Sequence, residues 1–81
     1  MTHRVRSVAM ILNYVRLGND CLGRRLELGL SGEGAAVLLP FDKTTLYTYE
    51  RGKEPNMKVG NFLALCNLYD LDPRDYFELE R

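Results

Sequence analysis

Histidine, cysteine and tryptophan are scarce in this sequence: His3, Cys21, Cys66, and no tryptophan in 81 residues. A lone histidine near the start leaves no Ser/His/Asp or Cys/His set for nucleophilic catalysis. Two cysteines so far apart make neither a disulfide framework nor a metal site, so reduced, partly buried thiols are expected. The glycines do not gather into a phosphate-binding loop. Neither an enzyme nor a cofactor or metal is expected. No stretch reaches the roughly 18–20 uninterrupted apolar residues of a membrane span. Val8 to Leu17 is apolar-rich, but Asn13 and Arg16 interrupt it and no small-residue cleavage site follows. That argues against a secretory signal, and a cytoplasmic location is the expectation.

Net charge is missing too, with 11 basic and 11 acidic residues. Neutrality is a mild argument against a nucleic-acid partner. The distribution says more. Up to position 60 there are nine basic against six acidic residues, and beyond it two against five. A basic front can meet a phosphate backbone, whereas the acidic tail is most simply a solvated face.

Strand signals, repeats and low-complexity segments are absent as well, and the length allows one domain at most. What remains is helical periodicity. Val5, Val8, Ala9, Leu12 and Val15 follow three-four spacing, which predicts a helix to Leu17 whose apolar side Met10, Ile11 and Tyr14 broaden. Gly18-Asn19-Asp20 predicts a break, with Asp20 capping a second helix, Cys21 to Leu28, that turns Leu22 and Leu26 inward before Gly29. Ser31 is the next N-cap, opening Gly32 to Leu39 with Ala35, Ala36, Leu38 and Leu39 as its apolar positions. Pro40 stops it, because proline cannot continue the hydrogen-bond ladder. Asp42 caps a helix through Arg51 that buries Leu46 and Tyr49 and ends at Gly52. A longer helix is predicted from Lys58 to Tyr69, with Val59, Phe62, Leu63, Cys66 and Leu68 or Tyr69 facing the core. Asp72-Pro73 reads as N-cap and first turn of a last short helix carrying Tyr76, Phe77 and Leu79.

The segment "GLSGEGAAVLLPFDKTTLYTYERG", Gly29 to Gly52, resembles the helix-turn-helix of the lambda-repressor-like proteins, the Cro/Xre family. Gly29-Leu30-Ser31, Ala36, Leu46 and Glu50-Arg51-Gly52 fall in the family's register without a gap. Downstream, "FLALCNLYDLDPRDYF" resembles the family's closing pair of helices, so the likeness covers roughly residues 21–79. It implies an all-α, compact lambda-repressor-like bundle of five helices with an additional N-terminal helix. Residues 1–19 would form the N-terminal arm or extra helix and residues 20–81 the helix-turn-helix domain. Two positions depart from the family pattern: Pro40 stands where a glycine is usual in the turn, and Gly32 where a glutamine often grips the DNA backbone.

The resemblance implies a sequence-specific, double-stranded DNA-binding transcriptional regulator, a dimeric bacterial or phage repressor. Its helix 42–51 would enter the major groove of a pseudo-palindromic operator. Carried over by position, Lys43, Thr44, Tyr47 and Thr48 would face bases, and Ser31, Thr45, Arg51 and Lys53 would face phosphates. Ala36 would sit where the two helices of the motif cross, and Arg25 would pair with Glu50. As residue types alone, Lys43, Thr44 and Thr48 fit an ordinary solvated helix face equally well. Val8, Ile11, Leu12 and Val15 form a dimer interface or pack on their own domain; alternatively, Arg4 and Arg6 form a basic arm. The alternative function is a protein-interaction module on the same fold, an antirepressor or antitoxin, with weak or no DNA binding.

Overall fold

The computed structural model describes residues 10–79. Strand β1 (Met10–Leu12) leads into helix α1 (Tyr14–Glu27), followed by α2 (Gly32–Val37), α3 (Lys43–Glu50) and α4 (Val59–Tyr69). A 3-10 turn (Pro73–Tyr76) and strand β2 (Phe77–Leu79) complete the order. None of these helices is long and apolar enough to cross a membrane.

The described residues are mostly helical, with four α-helices and a small sheet where five helices plus an extra one were expected. The two strands run antiparallel, pairing Met10 with Leu79, Ile11 with Glu78 and Leu12 with Phe77. Each is only three residues long, too short for strand periodicity to stand out from its surroundings. Residues 10–12 therefore extend where a helix was expected, and Val5 to Ala9 of that helix lie outside the described residues. Asn13 then caps α1, its side chain accepting from the Arg16 N–H at 3.0 Å.

The expected break at Gly18-Asn19-Asp20 is not there: α1 runs through it, across the anticipated boundary at residues 19 and 20. The reason is packing. A Cβ on Gly18 would collide with the Tyr49 carbonyl oxygen, so glycine here lets α1 lie directly against the end of α3. The buried stripe of α1 is Leu17, Gly18 and Cys21, while Leu26 is exposed and Leu22 half-buried. Asp20 caps nothing; its carboxylate accepts from the Tyr76 hydroxyl at 2.7 Å, tying α1 to the 3-10 turn.

Leu17, Cys21, Ala35, Leu46, Leu65 and Tyr69 centre the core. In α4 the buried positions are Phe62, Leu65, Cys66 and Tyr69, while Val59 and Leu63 face outward. The last expected helix is a single 3-10 turn, capped by Asp72 and started by Pro73. It buries Tyr76 and releases Phe77 into β2, where Phe77 packs edge-on against Phe62 at 5.4 Å between ring centres.

Candidate nucleic-acid interface

Two capped helices build the surface. The Ser31 hydroxyl accepts from the Gly34 N–H at 2.9 Å and starts α2, and the Asp42 carboxylate accepts from the Thr45 N–H at 2.8 Å and starts α3. That hydrogen bond holds the Asp42 carboxyl below its ordinary pKa. The connection spans residues 38–42. α2 ends at Val37, two residues short of the sequence expectation, and closes with tightened bonds from Leu38 N–H to Ala35 O and Leu39 N–H to Ala36 O. Pro40 follows, with no left-handed residue in the turn. A fixed proline φ is compatible with this route because no residue of the turn takes a positive φ, and Leu39 and Phe41 on either side pack against the core. Phe41 meets the Tyr49 ring edge-on at 5.1 Å.

Behind α3, Leu46 and Tyr49 are buried and Glu50 is held in an ion pair. Arg25 Nε donates to Glu50 Oε2 at 2.7 Å and its Nη2 to Oε1 at 3.0 Å, while Nη1 donates to the Leu30 carbonyl. The two side chains are 11% and 5% exposed, so both charges depend on each other for compensation. The hydrogen bond to Glu50 pushes the Arg25 pKa further up. The geometry ties α1 to the last residue of α3. Gly52 then ends the segment with a left-handed φ of 65°, and space beside it is limited by the Val15 backbone.

The exposed side of α3 carries the sequence-indicated polar residues. Thr44 is open to solvent, with Lys43, Thr45, Tyr47 and Thr48 half-buried around it. The Thr48 hydroxyl donates to the Thr44 carbonyl at 3.0 Å, which leaves its lone pairs and methyl group for a ligand. Arg51 and Lys53 are exposed just past the helix end. Ser31 lies at the start of α2 with its hydroxyl proton uncommitted by the capping bond.

Three features were not foreseen. Lys43 Nζ sits 2.8 Å from Glu33 Oε1 on α2, an ion pair between residues ten apart that no helical spacing rule would flag. Tyr47 lies over Gly32, its ring filling the space a Cβ there would need, with the Arg25 guanidinium 5.7 Å from the ring centre. Gly32 thus provides room for an aromatic wedge between the two helices of the motif. Ala35 is the fully buried alanine of α2, and Ala36, expected at the crossing, is only half-buried. A lone glycine followed by an aromatic on the next helix carries no signal of its own, so this pair was legible only in three dimensions.

Of the expected dimer-interface residues, Ile11 and Val15 are exposed and Leu12 packs against the core. Val8 lies outside the described residues.

A short first helix and a second one clamped from behind, polar side out, define a helix-turn-helix. The family described as the helix-turn-helix domain matches residues 22–77, and the chain belongs to it. This is a Cro/Xre-like DNA-binding protein of the transcription-regulator class. Among solved structures, the chain is similar to the restriction-modification controller protein C.AhdI from Aeromonas hydrophila. The two are 32% identical with a TM-score of 0.65, over 78% of this chain and 90% of that one. No curated protein matches the chain.

Proposed function

We propose that this chain is a sequence-specific regulator that binds double-stranded DNA as a homodimer, a bacterial or phage repressor with a cytoplasmic place of action. The observation carrying the reading is the two-sided character of α3: Leu46, Tyr49 and Glu50 are sequestered, whereas Thr44 and Thr48 lie on the outward side together with Lys43, whose ammonium is held at the surface by Glu33. An α-helix of this kind fits a major groove, where lysine donates to guanine O6 or N7 and threonine meets an edge or a thymine methyl. Tyr47 flanks these three. Ser31, Thr45, Arg51 and Lys53 take the backbone phosphates, which position without specifying. Similarity to a protein named as a restriction-modification controller supports a regulatory role.

A neutral chain attracts DNA weakly as a single subunit, so a second subunit on a two-fold related half-site supplies the remaining affinity. Exposed Ile11 and Val15, with Val8 and Leu12, are the proposed contact between subunits. The second reading is a protein-interaction module, antirepressor or antitoxin, favoured by the outward apolar side chains of Met10, Ile11 and Leu79 on the small sheet.

Electrophoretic mobility of the purified chain with a random duplex pool, and with duplexes selected from it, tests the choice. The regulator reading expects retention that weakens with salt and a selected sequence of two related half-sites. Absence of any salt-dependent shift at low ionic strength would leave the interaction module standing instead.

A further inference from the structure

Glu33 lies on the first turn of α2, and its carboxylate takes the ammonium of Lys43, the first residue of α3, at 2.8 Å. With side chains 77% and 44% exposed, this pair adds little to folding. Its position matters more than its strength. Lys43 is at the end of α3 that enters the groove, and a free ammonium there attracts any phosphate. Paired with Glu33 it offers a nearly neutral couple, and the carboxylate beside it repels a generic backbone.

A guanine edge is a different competitor. It presents O6 and N7 together in fixed geometry, and such a contact discriminates by roughly five- to a hundredfold, at or above what the exposed pair supplies. We propose that Glu33 is a specificity-determining residue, holding Lys43 in an intramolecular ion pair that a cognate base edge displaces and a non-cognate phosphate does not. The proposal rests on α3 being the groove helix. It accounts for an acidic residue kept next to a DNA-facing lysine in a chain with no positive charge to spare.

The test uses the full chain and four forms: wild type, Glu33→Gln, Lys43→Met and the double variant. Each is titrated with a random duplex and with the duplex that wild type selects, over a range of salt. Glu33→Gln should tighten random-duplex binding by up to about fivefold near about 0.1 M salt, the most that releasing an exposed pair can return, and steepen the log–log salt slope by about 0.9, as for one further neutralised phosphate. Affinity for the selected duplex should rise much less, so the ratio between the two falls. In the Lys43→Met background, where the carboxylate has no ammonium to hold, the same Glu33→Gln change should move random binding by no more than about twofold, and the difference between the two backgrounds is the coupling. Equal tightening in both backgrounds would mean that Glu33 acts only as a nearby charge, and equal tightening on both duplexes would mean that it carries no specificity. Either result overturns the proposal, as does no change at all. If wild type itself shows no salt-dependent binding, the groove reading has failed, and that is visible before any variant is made. Because the pair is exposed, matching thermal unfolding of the four forms verifies that the fold is intact.

Discussion

Replacing Gly18 with alanine puts two effects of opposite sign into one methyl group. In a helix interior, alanine is favoured over glycine by about 1 kcal/mol, because glycine loses more backbone freedom on folding. At Gly18 the added Cβ would fall well inside 3.0 Å of the Tyr49 carbonyl oxygen and 3.1 Å from that of Glu50. Both are backbone atoms and cannot rotate away. The end of α3 must retreat by roughly an ångström, with an overpacking cost of about 1–3 kcal/mol that outweighs the propensity gain at its upper end. The retreat also stretches the Arg25–Glu50 pair, since Glu50 is one of the residues pushed. The net expectation is a loss of up to about 2 kcal/mol, or a fall in Tm of up to about 16 °C for a domain of this size. Gly23, on the same helix, is the internal control: nothing lies within 4 Å of a Cβ placed there. Gly23→Ala should gain about 0.5–1 kcal/mol. Thermal and urea unfolding followed by far-UV circular dichroism reads both, and the DNA affinity of Gly18→Ala should fall as α3 shifts. If Gly18→Ala stabilises the chain as much as Gly23→Ala does, α1 and α3 are not in the close contact described.

The Tyr69 hydroxyl is buried with no hydrogen-bond partner among the described residues, and burial pushes its pKa up to about 12. Tyr69→Phe removes that desolvated group and should raise stability by about 1 kcal/mol in urea titrations; a clear loss would mean the hydroxyl is bonded. Burial also lifts the thiols of Cys21 and Cys66, to about 12 and about 11. Since the thiolate is the nucleophile, an aromatic disulfide reagent at mildly alkaline pH should label both only as fast as the chain unfolds, and rapid labelling of the native protein would contradict this. Hydrogen bonds from Arg74 hold the Asp72 carboxyl down at about 2 against its ordinary 3.8. A folded pKa below the unfolded one makes its stabilisation present above about pH 4 and lost as pH falls towards 2. Asp72→Asn, which keeps an oxygen for the Arg74 N–H, should flatten that part of the acid transition, and an unaltered acid profile would refute the assignment.

The helices that the sequence disclosed are those with local punctuation. Ser31, Asp42 and Asp72 are side chains that cap by reaching three residues or fewer along the chain, so their signal is contained in short windows. The E-R-G segment was legible through its resemblance, and its glycine has the left-handed φ that ends a helix. Gly18 misled because glycine serves both as a helix stop and as the only residue that lets two backbones touch. Local sequence cannot distinguish these uses, although buried Leu17 and Cys21, four apart across it, carry the continuing helix period. The strands were hidden by brevity and by pairing partners at opposite ends of the described chain, Met10 with Leu79. At the interface, the polar residues of α3 were nameable from register, but their constraints were not. Glu33 on Lys43, Gly32 beneath Tyr47 and Thr44 under Thr48 arise from proximity between elements or from a rotamer choice.

These constraints change what a DNA-facing helix of eight residues requires. α3 is too short to be stable alone, since isolated helices below about 12–15 residues are marginal in water. Its orientation is therefore a property of its attachments. Leu46 and Tyr49 supply apolar burial, the Arg25–Glu50 pair fixes the C-terminal end to α1, and Tyr47 wedged on Gly32 sets the spacing to α2. Apolar burial is tolerant of small rotations, whereas a bidentate guanidinium–carboxylate pair and a ring against a bare backbone are not. The directional attachments thus determine where Lys43, Thr44 and Thr48 point. Removing one partner of the Arg25–Glu50 pair leaves a buried charge and costs about 3–5 kcal/mol, so the same contact that aims the helix also makes its aim inseparable from folding. Pro40, outside all three attachments and exposed, sets only the path between the helices.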